Sequence, residues 1–145
     1  MSSKELDNLV GAGLLKREPG DQSEFDGLVR SGEARLTDAR QSTLAPESQF
    51  DLAYNAAHAF ALAALRWHGY RPNNRRYVVF QALQHTLGLK PQVWRVLDKC
   101  HGARNLAEYK GTFAVDRQLL TDLMAAAEIV RAAIEKMGPV ARRGR

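Results

Sequence analysis

The residues best suited to chemistry stand close together between positions 101 and 111. Five of them carry groups that can bind phosphate or move a proton: His101, Arg104, Asn105, Glu108 and Tyr109. Residues three and four positions apart are neighbours on a helix, so a helix through this stretch places them in one polar cluster. An imidazole titrates near neutral pH and can take the proton of a 2′-hydroxyl, while a guanidinium binds phosphate. RNA cleavage is one chemistry that this set could perform, and it requires no metal ion.

Arg104 is the most informative of these residues, because it falls inside the apolar arc of the predicted helix. That arc consists of Val93, Val96, Leu97, Cys100, Ala103 and Ala107. A core-facing arginine is costly unless it meets an acidic partner, accepting carbonyls or an anion. Glu108, four residues further on, is the acidic partner that the spacing predicts. Two interpretations stay open, namely a site for an anionic substrate and a structural polar network in which Glu108 neutralises Arg104.

A second basic group surrounds one predicted loop between helices and consists of Arg66, Arg71, Arg75 and Arg76. Arg75 and Arg76 follow two asparagines that can cap a helix, and basic charge at a helix N-terminus opposes the helix dipole. A bound anion would relieve this conflict. We therefore expect Arg71, Arg75 and Arg76 to bind RNA or another anion. The alternative is a solvated loop whose charges meet acidic residues elsewhere in the fold.

Length and composition indicate one small soluble protein of the cytoplasm. The chain has 145 residues, 45% of them hydrophobic, and a net charge of +5. No apolar run approaches the ~20 residues that cross a bilayer, and the start lacks the apolar region of a signal peptide, so no membrane association is expected. The single cysteine, Cys100, agrees with a reducing compartment. His58 and His68 lack the spacing typical of a helical ligand pair, and we expect neither a metal ion nor a cofactor.

Apolar residues recur with helical periodicity along almost the whole chain, which predicts an all-α bundle of about five to six helices. The expected helices run from about Lys4 to Leu15, from Ser23 to about Ala39, from Pro46 to about His68, from about Asn74 to Leu87, from Pro91 to Gly111, and from Asp116 to about Met137. We expect a loosely attached N-terminal arm at 1–20, a helical bundle at 21–137 and a basic disordered tail at 138–145.

Three features of the sequence resemble the HEPN superfamily, the small helical bundles of bacterial toxin–antitoxin, abortive-infection and RNA-processing systems. They are the Ala-rich helix at Phe50–His58, the Gly69-Tyr70-Arg71 turn and the Arg104-Asn105 pair. The resemblance covers roughly residues 46–137. It implies a helical bundle that works as a homodimer, in which two copies bring their motifs into one cleft.

The resemblance also implies roles for particular residues. Active members are metal-independent endoribonucleases with an arginine, a polar residue that is often asparagine, and a histidine four to six positions after the arginine. Arg104 and Asn105 match the first two positions, whereas Glu108 and Tyr109 stand where the histidine is expected. An ordinary tyrosine has a pKa of about 10 and is a poor base at neutral pH. His101, upstream of the arginine, is the one candidate for a displaced base.

Three functions are compatible with this pattern. We favour a HEPN-like module that binds RNA or a nucleotide within a toxin–antitoxin or defence system, without efficient catalysis. The first alternative is an endoribonuclease toxin that uses Arg104 with a displaced base. The second is a helical interaction module paired with a minimal nucleotidyltransferase, for which Tyr109 would be a modification target.

Overall fold

The computed structural model describes the backbone of residues 3–73, 78–110 and 115–141, with side chains over 4–73, 78–105 and 115–141. The helices in these ranges are α1 (Ser3–Gly11), α2 (Gln22–Ala39), α3 (Pro46–Trp67), α4 (Val78–Gln81), α5 (Leu83–Thr86), α6 (Pro91–Lys110) and α7 (Arg117–Glu135). Two strands, β1 (Leu15–Arg17) and β2 (Tyr70–Pro72), form one antiparallel pair. The predicted all-α helical bundle is confirmed, because the two strands have only three residues each.

α3 is the centre of the bundle, and local sequence signals set both of its ends. Pro46 stands in the first turn, where its missing N–H costs nothing, and Gly69 ends the helix with a φ of 89°. α2 packs along α3 most extensively and α7 follows. Close approach depends on Gly32 of α2, because a Cβ there would lie 2.5 Å from the ring of Phe60. None of the described helices combines the length and apolar character needed to span a membrane.

The N-terminal segment is packed onto the bundle, which corrects the expectation of a loosely attached arm at 1–20. Its helix ends at Gly11 rather than Leu15, and Leu15 begins β1, which pairs with β2. Leu6 and Leu15 are 0% and 1% exposed and share a small second core with Tyr70. The backbone N–H and C=O groups of Leu15–Arg17 lie beyond the end of the helix, and the pairing with β2 supplies their hydrogen-bond partners.

Two helix boundaries also differ from those expected. α2 is capped by the carboxylate of Asp21, which accepts from the Ser23 amide at 3.1 Å, so Ser23 lies inside the helix rather than at its cap. The helix expected from about Asn74 to Leu87 is divided into the single turns α4 and α5, and residues 74–77 lie outside the described residues. A tight turn at this break joins the His85 amide to the Ala82 carbonyl, three residues back, at 2.8 Å.

The last described residues are anchored rather than loose. Trp67 Nε1 donates to the Gly138 carbonyl at 2.8 Å, and the amide of Val140 donates to Gln22 Oε1 at 2.7 Å. Val140 itself is buried against the main core. The expected disordered tail therefore does not begin at 138, and its arginines at 142–145 lie outside the described residues.

The last two helices begin as the sequence predicts. α6 starts at Pro91, and Asp116 caps α7 by accepting from the amides of Gln118 and Leu119. α6 packs against α7, α4 and α3. The contact with α3 brings the chemistry-bearing stretch of α6 against the middle of the bundle.

Candidate functional site

α3 and α6 bring five polar side chains together, which we call the α3–α6 cluster. α6 contributes His101, Arg104 and Asn105, and α3 contributes Asp51 and Tyr54. Asp51 and Tyr54 are three residues apart on α3, and the three α6 residues stand at positions i, i+3 and i+4, about one helical turn, so each set lies on one helix face. Three of the predicted site residues are thus brought together with two partners from another helix.

The guanidinium of Arg104 is held by one carboxylate and one aromatic ring. Its Nε donates to Asp51 Oδ1 at 2.9 Å, and its Cζ lies 5.0 Å from the centroid of the Tyr54 ring. The Arg104 side chain is 26% exposed and that of Asp51 is 56% exposed, so water and solutes reach the pair. The carboxylate that the structure places against Arg104 belongs to Asp51 of α3, and the side chain of Glu108, the predicted partner, lies outside the described residues.

His101 is hydrogen-bonded through both ring nitrogens. Nδ1 lies 2.8 Å from the hydroxyl of Tyr54, and Nε2 lies 3.0 Å from Nδ2 of Asn105. An amide NH₂ only donates, so Nε2 is the acceptor, and the neutral imidazole carries its proton on Nδ1 and donates it to Tyr54. The lone pair of His101 that could accept a proton from a substrate therefore faces Asn105.

Tyr54 connects the cluster to the core. It is 2% exposed, and its ring meets the Phe80 ring edge to face at 5.6 Å between centroids. The same ring lies nearly parallel to that of His101, at 6.3 Å and 24°. A buried ring in contact with side chains of both α4 and α6 has little freedom to rotate, so it fixes the positions of both His101 and Arg104.

The second predicted site differs from the α3–α6 cluster, because acidic residues contact its two described arginines, Arg66 and Arg71. We call Glu18, Glu24, Arg66 and Arg71 the Arg66 cluster. Nη2 of Arg71 lies 2.8 Å from a carboxylate oxygen of Glu18 and 2.8 Å from one of Glu24. Arg71 therefore follows the alternative interpretation of the loop, in which acidic neighbours match its charge. Arg75 and Arg76, expected to bind anions beside it, lie outside the described residues.

Arg66 is the most completely bonded cation in the described part of the chain. It is 2% exposed and donates to Glu24 Oε1 at 2.9 Å. Its two other nitrogens donate to the carbonyls of Glu18, Pro19 and Tyr70, at 2.9, 2.8 and 3.2 Å. These acceptors offset the cost of burying the guanidinium.

The arginines also change the acidity of the two carboxylates. The hydrogen bond from Arg71 lowers the pKa of Glu18. Burial alone would raise the pKa of Glu24, but the hydrogen bonds from Arg66 and Arg71 leave it below its ordinary value. Both groups are therefore ionised partners of the arginines at neutral pH.

The other residues considered for a site form none within the part of the chain whose side chains are described. Glu108 and Tyr109 lie on α6, but their side chains are outside the described residues. His68 Nε2 donates to the Thr86 carbonyl at 2.9 Å, and burial raises the pKa of the Cys100 thiol to about 12, so that thiol is inert at neutral pH. The described side chains contain no group of three histidine, cysteine or acidic residues placed to hold a metal ion.

Sequence analysis missed Asp51 and Tyr54. They lie 53 and 47 positions from their α6 partners, Arg104 and His101, a separation that no local spacing rule spans. One signal was available for Asp51, since it is the only acidic residue of α3 beyond the first turn and it stands in an otherwise Ala-rich helix. An acidic residue there indicates either a solvated face or a partner for a cation.

Comparison with protein-family models, with curated proteins and with solved structures finds no match to this chain. The resemblance to the HEPN superfamily therefore stays a prediction.

Proposed function

We propose that this protein is a HEPN-like module that binds RNA or a nucleotide at the α3–α6 cluster, with little or no catalysis. The observation that supports it most is the partly exposed guanidinium of Arg104, fixed against the Tyr54 ring. Arginine that is planar, charged and fixed in place is well suited to phosphate. The exposed Asn105 stands one residue away and supplies an amide for a second contact.

The arrangement of His101 supports binding rather than cleavage. A general base must present an unprotonated nitrogen to the 2′-hydroxyl, and the unprotonated nitrogen of neutral His101 is bonded to the Asn105 amide. Cleavage would first require that bond to break. The endoribonuclease alternative therefore needs a rearrangement that the binding module does not.

The partners of the module follow from the HEPN resemblance. We propose a toxin–antitoxin or defence context and a homodimer as its working form. Pairing with a nucleotidyltransferase stays a prediction that depends on Tyr109, whose side chain is not described.

Binding is tested by fluorescence anisotropy with a labelled single-stranded RNA in the presence of a metal chelator. We expect wild type to bind with salt-dependent affinity and Arg104→Ala to weaken binding about tenfold, since a lost charge-assisted contact to phosphate is worth about 1.4 kcal/mol. Arg95→Ala is the matched control, because it removes one positive charge from the same helix, where Arg95 lies over Trp94. If Arg95→Ala weakened binding as much as Arg104→Ala, the effect would depend on net charge and not on a specific contact of Arg104.

The same samples separate binding from cleavage. Intact RNA after prolonged incubation is the expected result. Products that end in a cyclic phosphate, lost in Arg104→Ala, would instead establish the endoribonuclease alternative.

A further inference from the structure

Among the described side chains, Arg104 is hydrogen-bonded along one edge. Its Nε donates to Asp51, whereas Nη1 and Nη2 donate to no side chain that the structure describes. This edge carries two parallel N–H donors, the geometry that binds two oxygens of one carboxylate or phosphate. The partial exposure of the side chain leaves that edge within reach of a ligand.

Two contacts determine how the guanidinium is oriented. The hydrogen bond that Nε donates to Asp51 acts in the plane of the group, and the Tyr54 ring lies 5.0 Å from its central carbon. A free arginine loses considerable rotamer entropy when it binds a ligand, and one already held in place loses less. Orientation before binding therefore raises affinity without adding a contact to the ligand.

We propose, on the basis of the proposed function, that Asp51 is a positioning residue that fixes Arg104 through Nε so that Nη1 and Nη2 bind two oxygens of one phosphate group. The carboxylate of Asp51 is 56% exposed, so its pair with Arg104 contributes little to folding. Its role is to present the arginine. The ligand class that this geometry recognises is a phosphate monoester or a phosphodiester.

The hydrogen-bond acceptor of Asp51, rather than its charge, is what the site uses. A carboxylate beside a bound phosphate repels it, whereas an amide oxygen at the same position accepts the Nε–H bond without that repulsion. Asp51→Asn therefore keeps the orientation of Arg104 and removes the repulsion. Asp51→Ala removes both.

The test uses the same RNA anisotropy titration on the full chain. We expect Asp51→Ala to weaken binding about fivefold and Asp51→Asn to bind at least as tightly as wild type, in accord with a loss of orientation rather than of a ligand contact. Glu47→Ala is the matched control for charge, because Glu47 is an exposed acidic residue of the same helix. Removal of its charge should leave the affinity unchanged or slightly raise it.

A double-variant measurement shows whether Asp51 acts through Arg104. In an Arg104→Ala background, Asp51→Ala should cause no further loss. A loss in that background, or tighter binding by Asp51→Ala than by Asp51→Asn, would overturn the positioning role. Failure of the proposed function is a separate result, in which wild type does not bind RNA or Arg104→Ala binds as well as wild type. Urea denaturation checks that each variant remains folded.

Discussion

Arg66 and Arg104 both meet a carboxylate from another helix, but their surroundings differ in a way that separates structure from function. Arg66 is almost fully buried and donates to Glu24 and to three backbone carbonyls. Arg104 is about a quarter exposed, and the described hydrogen bond that it makes goes to Asp51. A guanidinium has five N–H donors. Arg66, bonded through all three nitrogens, holds the fold together, whereas Arg104 is partly exposed and its Nη1 and Nη2 meet no partner among the described side chains, so we propose that it is available to a ligand.

The largest expected effect follows from breaking the Arg66 cluster. Arg66→Ala leaves the Glu24 carboxylate and three carbonyls without their shared donor, and we expect a loss of about 3–5 kcal/mol in the free energy of unfolding. Urea denaturation followed by circular dichroism measures it. A loss below about 1 kcal/mol would show that the cluster does not contribute to folding as its bonding indicates.

The next largest effect tests the close packing of α2 on α3. A Cβ at Gly32 would lie 2.5 Å from the Phe60 ring, so Gly32→Ala should destabilise the protein by about 1–3 kcal/mol. Gly27→Ala is the control on the same helix, because its nearest neighbour would be an Arg30 nitrogen at 3.9 Å. That variant should be neutral or up to about 1 kcal/mol more stable. Equal effects of the two substitutions would contradict the packing argument.

A smaller effect concerns the pH dependence of stability at the Arg66 cluster. The pKa of Glu24 is lowered from an ordinary value of 4.5 in the folded state. Its contribution to stability is therefore present above pH 4.5 and is lost as the pH falls through the lower folded value. As the pH decreases below 4.5, we expect the free energy of unfolding to decrease, and to decrease less steeply in Glu24→Gln. An unchanged slope in the variant would contradict the assignment to Glu24.

The smallest effect on stability is expected at the α3–α6 cluster. Arg104→Ala removes a partly exposed ion pair, and such pairs contribute about 0–1 kcal/mol. Its urea midpoint should lie close to that of wild type, in contrast to Arg66→Ala. A loss as large as that of Arg66→Ala would place Arg104 among the structural residues.

Much of the fold could be predicted from the sequence, because the signals that set it are local. Pro46, Gly69 and Asp116 act through the turn in which they stand, and each marks a helix boundary as predicted. The three-residue strand at Leu15 gives too short a pattern to distinguish from the end of a helix. Its partner β2 lies more than fifty residues away, so the pairing has no local signal.

The candidate site could be predicted only in part, for a related reason. The α6 residues were recognised because helical spacing groups them, but the acidic partner of Arg104 depends on how α3 packs against α6. Helical spacing pointed to Glu108 as that partner, whereas the tertiary contact places Asp51 of α3 against Arg104. For Arg71 the sequence left two interpretations, and the position of Glu18 and Glu24 decides between them.

The central proposal is that the number of carboxylates beside an arginine, and not its charge alone, decides which arginine binds phosphate, and Arg71 provides the most direct comparison with Arg104. The two side chains are 26% and 30% exposed, but Nη2 of Arg71 already meets two carboxylates. The decisive measurement is the RNA affinity of Arg104→Ala and Arg71→Ala, side by side at one salt concentration. We predict a loss of about tenfold for Arg104→Ala and affinity close to wild type for Arg71→Ala. Equal losses, or a larger loss for Arg71→Ala, would contradict the account.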